Sequence, residues 1–265
     1  MNRMTSPIVS LLVVSSSASL VAAQSLDSGD VALARLDGRI ITGAVTLSGT
    51  ARFPAHVFPG AFGELPNWTN DPGFDSQSGA FVPGTQIGFD VMRAVRVWDG
   101  CAFRAIPVEH ILFRKGPFSA TSPTMDVVTR GFVLGEANLS GVFHHHMSYE
   151  LLAPAADGIY LIELTLWSSA PGLEPSRPIW VVFRQGENLQ AHQEALDWAV
   201  WNLDPTICRP DLDTSTGVGT LDIFDFLTFS NLFAMQDPRA DFEADCIFDI
   251  FDFLAFSNEF AGGCP

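Results

Sequence analysis

The chain has 265 residues, of which 47% are hydrophobic and 22 are phenylalanine, and its 30 acidic against 14 basic residues give a formal net charge of −16. These apolar side chains suffice for a packed core, which excludes a disordered acidic tail. Binding of nucleic acids or anionic lipids needs a basic surface, so this acidic chain is expected to bind neither. Residues 204–265 hold twelve acidic and two basic residues, and this shift predicts a domain boundary near Asp204 to Pro210.

Residues 1–23 are typical of a secretory signal peptide. Arg3 precedes an apolar, serine-rich stretch, and Val21-Ala22-Ala23 supplies small residues for cleavage after Ala23. The alternative is a membrane anchor, but serines interrupt the stretch and no basic stop-transfer flank follows it. We therefore expect a secreted or cell-surface protein with no transmembrane segment in the mature chain. Export permits disulfides, and the four cysteines allow three pairings.

Residues 24–186 are predicted to form a mainly β domain, a β-sandwich. Alternating apolar runs flank Asp37-Gly38 and Asp99-Gly100, both hairpin signals. Many short strands with Gly/Pro turns between them are typical of a sandwich. Residues 187–205 are predicted to be a helical linker, because leucines and valine recur there at helical spacing.

Three consecutive histidines give the only hint of chemistry in this domain. Side chains alternate along a strand, so His144 and His146 are expected to share one face of the predicted strand GVFHHHMSYELL. Two imidazoles at this spacing can bind zinc or copper when other residues complete the site. Possible partners, none placed by spacing, are His56, His110, Asp71 and Asp75. The alternative is a hydrogen-bonded surface cluster without a ligand.

Several segments of the domain weakly resemble exported β-modules that are common in planctomycetes and cyanobacteria. They are DPGFD (71–75), the Trp98-Asp99-Gly100 turn, FHHHMSYEL (143–151), GIYLIEL (158–164) and WVVFRQG (180–186). Some of these modules are described as zinc-regulated surface proteins. The resemblance supports a β fold and implies no defined activity.

An internal repeat is the strongest signal in the sequence. LDIFDFLTFSNLFA (221–234) recurs as FDIFDFLAFSNEFA (248–261), with eleven of fourteen positions identical, and each copy follows an acidic stretch. Repetition of this kind indicates two copies of one supersecondary unit. Each copy is predicted to be a short helix with phenylalanines on nearly every side, which must be buried or must dock onto something.

The acidic stretch before the second copy has the spacing of an EF-hand calcium loop. Residues 241–252 place carboxylates at loop positions 1, 3, 5, 9 and 12, and position 7 supplies a backbone carbonyl. Cys246 stands at position 6, where a glycine is usual because the turn favours positive φ. The predicted calcium ligands are Asp241, Glu243, Asp245, Ile247, Asp249 and Asp252.

The first acidic stretch fits the same loop less well. Counting back from Asp225 as position 12 puts Asp222 at position 9, but Asp211 and Asp213 then lie three residues too far upstream. An insertion of three residues within Thr214 to Gly217 would restore them as positions 1 and 3. The loop is therefore either an enlarged calcium site or a degenerate one, and for both loops the alternative is an acidic, solvated turn.

Paired loop–helix units at the end of an exported chain resemble dockerin modules. With the flanks Cys208-Arg-Pro-Asp and Gly263-Cys264-Pro265 and the segment DIFDFLAFSN, residues 206–265 resemble the GC-type dockerin-like anchors of planctomycete secreted proteins. The resemblance implies that one or two calcium ions bind, that a cohesin-like or other surface protein is the partner, and that Cys208 and Cys264 form a clasp. Well-studied dockerins carry Ser or Thr at loop positions 10 and 11 for cohesin recognition. In this chain those positions are Ile223 and Phe224 in the first loop and Ile250 and Phe251 in the second.

Three function classes remain open from the sequence. We expect a secreted, non-catalytic protein whose calcium-binding module attaches the β-sandwich to an extracellular partner. The alternatives are a polysaccharide-active enzyme tethered by a dockerin, and a metal-handling surface protein that uses His144 and His146. No nucleophile elbow, zinc-protease motif, phosphate loop or dinucleotide fingerprint occurs in the sequence.

Overall fold

The computed structural model describes residues 25–264, so the predicted signal peptide 1–23 lies outside the described residues. A mainly β region comes first and three α-helices follow it, which confirms the predicted order. The strands are β1 Val31–Leu36, β2 Arg39–Val45, β3 Ala51–Arg52, β4 Val57–Ala61, β5 Trp68–Thr69, β6 Phe74–Ser76, β7 Gln86–Val91, β8 Arg96–Val97, β9 Ile111–Lys115, β10 Phe118–Thr121, β11 Thr129–Glu136, β12 His144–His145, β13 Ser148–Leu151, β14 Gly158–Ser168 and β15 Ile179–Gln185. The helices are α1 Leu189–Leu203, α2 Ile223–Ala234 and α3 Ile250–Gly262.

The strands that the structure describes form three sheets. The first has the order β12-β6-β1-β2-β3, the second β10-β9-β13-β5, and the third β11-β7-β14-β15-β4, with β8 beside β14. Neighbours are antiparallel except for two parallel pairs, β1 with β6 and β4 with β15. The parallel β1–β6 pair brings residues just before β1 next to residues just before β6, and this positions the candidate site described below.

The predicted hairpin at Asp37-Gly38 is present as β1 and β2, paired in antiparallel register from Val31 with Ala44 to Leu36 with Arg39. The one predicted at Asp99-Gly100 is not a regular hairpin. Only a single bridge joins Val97 to Ala105 there, and the regular partner of β8 is β14, on its other edge. The sequence pattern was therefore right about the turn and wrong about the pairing.

The main core lies between the sheets and is rich in aromatic side chains. Phe183 on β15 is fully buried and stacks on Phe62 at 4.9 Å between ring centroids. Tyr149 on β13 also contacts Phe183. The buried Tyr149 hydroxyl donates a hydrogen bond to the Pro72 carbonyl over 2.9 Å. This core fixes the segment before β6, on which the candidate site depends.

Helix α1 packs on the third sheet through small residues. Ala195 and Ala199 are fully buried against Trp180 and Val182, in a cluster separate from the main core. The Asn188 side chain caps the helix by accepting the Ala191 N–H over 3.0 Å. The predicted linker is therefore a helix that is fixed to the β region.

Helices α2 and α3 pack against each other with local two-fold symmetry. Phe229 and Phe256 occupy equivalent positions of the repeat, and their rings stack at 4.1 Å with 6° between planes. The reciprocal pairs Phe226–Phe256 and Phe229–Phe253 lie at nearly equal distances, 6.2 and 6.1 Å. Equal contacts exchanged between equivalent residues are the mark of a two-fold relation. The two repeats thus form one small aromatic core.

Two disulfides join the described cysteines. Cys208 pairs with Cys264, as the dockerin resemblance implies, with 5.0 Å between Cα atoms. The other disulfide pairs Cys101 of the β region with Cys246 of the second acidic loop, across a sequence separation of 145 residues. The acidic loop is thereby tied covalently to the β region. Among the described residues, no helix has the length and hydrophobicity needed to cross a membrane.

Candidate metal centre and acidic loops

His144 and His146 converge at one point of the first sheet. The predicted strand GVFHHHMSYELL is instead two short strands in different sheets. Strand β12 contains only His144 and His145, and His146 lies between it and β13. The alternation nevertheless holds. The Nε2 atoms of His144 and His146 lie 3.3 Å apart, whereas His145 turns the other way and lies 3.3 Å from the Glu136 carbonyl.

Two aspartates from the turn before β1 complete this cluster. The Asp27 carboxylate lies 3.3 Å from His144 Nε2, and the Asp30 carboxylate lies 3.4 Å from His146 Nε2. One ligand atom from each of the four residues lies within 4.8 Å of all the others. Zinc bonds of ~2.0–2.1 Å in a tetrahedron separate the ligand atoms by about 3.3–3.4 Å. The three separations of 3.3–3.4 Å between these ligand atoms match three of the six edges of that tetrahedron.

The far sides of both imidazoles also have polar neighbours. His146 Nδ1 lies 3.2 Å from the Asn70 carbonyl and 3.2 Å from an Asp71 oxygen, and His144 Nδ1 lies 4.0 Å from an Asp75 oxygen. A carbonyl can only accept, so a hydrogen bond to the Asn70 carbonyl requires the tautomer with the proton on His146 Nδ1, and in that tautomer Nε2 offers the lone pair to a metal. Carboxylates and carbonyls behind the histidines are typical of protein metal sites.

Buried carboxylate oxygens at the cluster have no hydrogen-bond partner. Asp30 is 3% exposed, and while its Oδ1 accepts the Gly73 N–H over 2.9 Å, its Oδ2 faces the histidines unpartnered. Asp75 is 1% exposed, and its Oδ1 is likewise unpartnered. Burial raises the pKa of Asp30 to about 6, despite the opposing effect of His146. A cation between these groups would offset the cost of burying their charge.

Gly73 leaves room for the His146 ring. A Cβ at this position would lie 2.5–2.7 Å from the ring atoms, closer than atoms can approach. The glycine also places its N–H on Asp30. Any side chain at this position would therefore displace His146 from the cluster.

Two of the four cluster residues were not identified from the sequence. Of the partners proposed from the sequence, Asp71 and Asp75 lie behind the histidines. His56 lies away from the cluster, 3.1 Å from Asp204. His110 is not part of the cluster either. Asp27 and Asp30 were missed because only the parallel pairing of β1 with β6 brings their turn to the histidines.

The second acidic loop is organised by its own carboxylates. The Asp241 carboxylate, at position 1, accepts the N–H groups of Asp245 and Cys246 over 3.1 and 2.8 Å. That of Asp252, at position 12 and 1% exposed, accepts the N–H groups of Glu243 and Asp249 over 3.1 and 3.0 Å. Cys246 has a φ of 63°, the conformation that this loop position usually gives to glycine.

The remaining predicted ligands of this loop are more exposed than Asp241 and Asp252. The Asp245 side chain accepts the Ile247 N–H over 2.9 Å, and that of Asp249 caps α3 by accepting the Phe251 N–H over 2.7 Å. Glu243 and Ile247 are exposed. Burial, together with the charges of Asp252 and Asp245, raises the pKa of Asp241.

The first acidic loop repeats this hydrogen-bond pattern. The Asp225 carboxylate accepts the N–H groups of Asp213 and Asp222, each over 2.8 Å, as Asp252 does for its loop positions 3 and 9. The Asp211 carboxylate accepts the Gly219 N–H over 2.5 Å, the position-6 contact that Asp241 makes with Cys246. These contacts place Asp211, Asp213 and Gly219 at loop positions 1, 3 and 6, as the three-residue insertion predicts. One Asp211 oxygen is buried without a partner.

Neither loop gathers its carboxylates as closely as the histidine cluster does. In residues 25–264, no group of three ligand atoms within 4.8 Å of one another comes from the loop carboxylates alone. Asp241 does fall in such a group, but with Cys101 and Cys246, whose sulfurs are used in the disulfide. Calcium binding by the loops therefore stays a prediction.

Equivalent apolar side chains of the two repeats are exposed. They start at loop position 10 and continue into the first turns of α2 and α3, and they are between 48% and 61% exposed: Ile223, Phe224, Leu227, Ile250, Phe251 and Leu254. Exposed apolar side chains grouped in this way mark interaction surfaces. We call these six residues the paired apolar face.

Comparisons with known proteins add no assignment to this geometry. No protein-family model, no curated protein and no solved structure matches this chain.

Proposed function

We propose that this chain is an exported, non-catalytic protein whose β-sandwich binds one zinc ion through Asp27, Asp30, His144 and His146. The observation that carries the proposal is the set of three distances of 3.3–3.4 Å between ligand atoms of the four side chains. Two carboxylates would balance the charge of a divalent ion. Two imidazoles favour zinc, copper or nickel over calcium and magnesium, which take oxygen ligands.

The location of the site suits a protein that takes up and releases its metal. The side chains of Asp27, His144 and His146 are 61%, 36% and 29% exposed, so solvent reaches the proposed ligands. Four protein ligands in a tetrahedron leave no open position for a reacting water, unlike catalytic zinc sites. The geometry therefore favours zinc binding over zinc catalysis.

Native mass spectrometry of the metal-free protein tests this proposal. With zinc added in the presence of excess calcium, we expect one zinc ion per chain. The variant His146→Ala is expected to lose that ion, because it removes a ligand. His145→Gln is the matched control, since the His145 side chain turns away from the cluster, toward the Glu136 carbonyl. An equal zinc content in His146→Ala and wild type would contradict the proposal.

A second function is favoured by the paired apolar face. We propose that residues 206–265 form a dockerin-like, calcium-binding module that attaches the chain to a cohesin-like or other surface protein. The repeated hydrogen-bond pattern of the acidic loops supports two related calcium sites. The symmetric exposure of Phe224 and Phe251, at 50% and 55%, supports a docking surface formed by both repeats.

Retention of the purified chain on cell-envelope fractions tests the attachment. We expect calcium-dependent retention that is lost in the double variant Phe224→Ser/Phe251→Ser, because the change removes apolar area without touching the aromatic core. Leu139→Ser is the matched control, since Leu139 is 95% exposed on the β region. Retention that survives the double variant would exclude the paired apolar face as the attachment surface.

A further inference from the structure

Position 6 of the two acidic loops differs in residue type but not in backbone conformation. Gly219 occupies it in the first loop at a φ of 82°, and Cys246 occupies it in the second loop at a φ of 63°. Glycine adopts this left-handed region freely, whereas a Cβ makes it unfavourable. The second loop therefore needs a contact that holds Cys246 in a conformation it does not favour by itself.

The backbone at Cys246 orients the predicted calcium ligand at position 1. The Asp241 carboxylate accepts the Cys246 N–H over 2.8 Å through Oδ2 and the Asp245 N–H over 3.1 Å through Oδ1. In the first loop, the Gly219 N–H makes the equivalent contact with Asp211. A change in the backbone at Cys246 would disturb the contact that positions the Asp241 carboxylate. The calcium affinity of the second loop thus depends on the conformation at position 6.

The disulfide to Cys101 holds Cys246 from the side of the β region. Cys101 lies in a turn that is itself fixed, because Asp99 Oδ1 accepts the Cys101 N–H over 3.0 Å. Arg104, beside this turn, donates to the Asp245 carbonyl and to Asp99, each over 2.8 Å. Positions 5 and 6 of the second loop are therefore both attached to one turn of the β region.

The first loop has no such crosslink. The other disulfide joins Cys208, before the first loop, to Cys264, after α3, so that neither disulfide of residues 25–264 includes a residue of the loop 211–225. The loop with glycine at position 6 stands without a crosslink, and the loop with cysteine there carries one. This difference between two copies of one repeat connects the crosslink to the conformation at position 6.

We infer that the Cys101–Cys246 disulfide sets the calcium affinity of the second loop and makes that affinity depend on the redox state of the chain. The inference rests on the calcium binding proposed above. With the disulfide formed, Cys246 is held in the left-handed conformation before calcium arrives, and preorganisation of this kind strengthens binding. Without the disulfide, the backbone at Cys246 relaxes, and calcium binding must restore the shape of the loop.

The step that changes the affinity is a thiol–disulfide exchange with a dithiol reductant. One thiolate of the reductant attacks a sulfur of the disulfide, and its second thiolate then cleaves the mixed disulfide. The protein gains two electrons and two protons as the thiols of Cys101 and Cys246, and the dithiol becomes a cyclic disulfide. Cys246 is exposed and Cys101 is half-buried, so a small dithiol reaches the bond.

A calcium titration of the full chain, followed by NMR of the backbone amides, tests the inference. The amide of Gly219 reports the first loop and the amide of Cys246 the second, because each donates to the position-1 carboxylate of its own loop. In the double variant Cys101→Ser/Cys246→Ser, the second loop is expected to bind calcium about tenfold more weakly. The first loop should bind as it does in the wild type.

A rescue variant separates this positioning role from a general loss of stability. Cys101→Ser/Cys246→Gly also lacks the disulfide, but glycine adopts positive φ freely, so the second loop should recover most of its affinity. Wild-type affinity in the serine variant would overturn the inference alone, and so would a glycine variant that binds no more tightly than the serine variant. No calcium binding by the second loop of the wild type would overturn the proposed calcium site as well.

A second measurement on the wild-type chain needs no variant. By thermodynamic linkage, calcium must stabilise the disulfide by the same factor by which the disulfide strengthens calcium binding. At saturating calcium, half-reduction of Cys101–Cys246 is expected to need a ratio of reduced to oxidised dithiol about tenfold higher than in a chelator. Alkylation of the thiols and mass spectrometry measure this ratio. An equal ratio with and without calcium would overturn the inference.

Discussion

Replacing Asp30 by Asn is expected to weaken zinc binding by more than about 100-fold, beyond the roughly 10–100-fold that loss of an outer-shell partner costs. The substitution keeps the shape of the side chain and leaves Oδ1 as acceptor for the Gly73 N–H. It removes the charge of the buried Oδ2, which lies 3.4 Å from His146 Nε2. Zinc titration monitored by calorimetry measures the loss of affinity.

The same substitution is expected to stabilise the metal-free protein near neutral pH. Burial raises the pKa of Asp30 from 3.8 to about 6, so the folded state holds this proton more tightly than the unfolded state does. The resulting stability is fully present below pH 3.8 and is lost as the pH rises through about 6. Asn at this position does not titrate, and it should raise the free energy of unfolding at about pH 7 by about 1–2 kcal/mol.

Urea unfolding in the presence of a chelator measures this gain. Asp37→Asn is the matched control, because Asp37 is exposed in the β1–β2 turn at a φ of 49° that Asn tolerates. The control should change neither stability nor zinc affinity. Zinc binding by Asp30→Asn equal to that of the wild type would contradict Asp30 as a zinc ligand. A metal-free variant less stable than the wild type would contradict a destabilising buried charge at this position.

Calcium is expected to stabilise residues 206–265 strongly, and Asp252→Ala should abolish most of the calcium affinity of the second loop. Calcium at about 100 times its Kd would add about 2.7 kcal/mol to the free energy of unfolding. Asp252 is also the third residue of the α3 capping box, and its carboxylate accepts the N–H groups of Glu243 and of the N-cap residue Asp249. Without calcium, its loss should therefore cost about 2 kcal/mol.

Calorimetric melting with and without calcium, on protein first stripped of metal, measures both effects. Asp225→Ala is the matched variant, because Asp225 makes the same contacts in the first loop and is fully buried. Comparison of the two variants shows whether one loop or both bind calcium. A melting curve of the wild-type chain that does not change with calcium would refute calcium binding by either loop.

Apart from the Asp99-Gly100 hairpin, the features discussed here that depend on local sequence were predicted correctly. The β1–β2 hairpin needs only the Asp37-Gly38 turn between alternating runs, and helices α2 and α3 follow from the repeat and its capping aspartates. The three-residue insertion in the first loop could be placed because the second loop served as a template. In each case the interacting residues lie within about a dozen positions of one another, where spacing determines geometry.

Features that depend on distant pairing could not be predicted. Asp30 meets His146 only because β1 pairs in parallel with β6 and β6 pairs with β12. Cys101 meets Cys246 across 145 residues, and the cysteine count alone left three pairings open. Half of the candidate zinc ligands therefore came from the sequence, since the alternation of His144 and His146 is local, and the other half required the fold.

X-ray absorption spectroscopy at the zinc edge, on the protein loaded with one zinc ion per chain, tests the central claim most directly. The four-residue site predicts two nitrogen and two oxygen ligands at about 2.0–2.1 Å, with the scattering pattern of two imidazole rings. A shell of six oxygens without imidazole scattering would place the ion elsewhere and contradict the assignment.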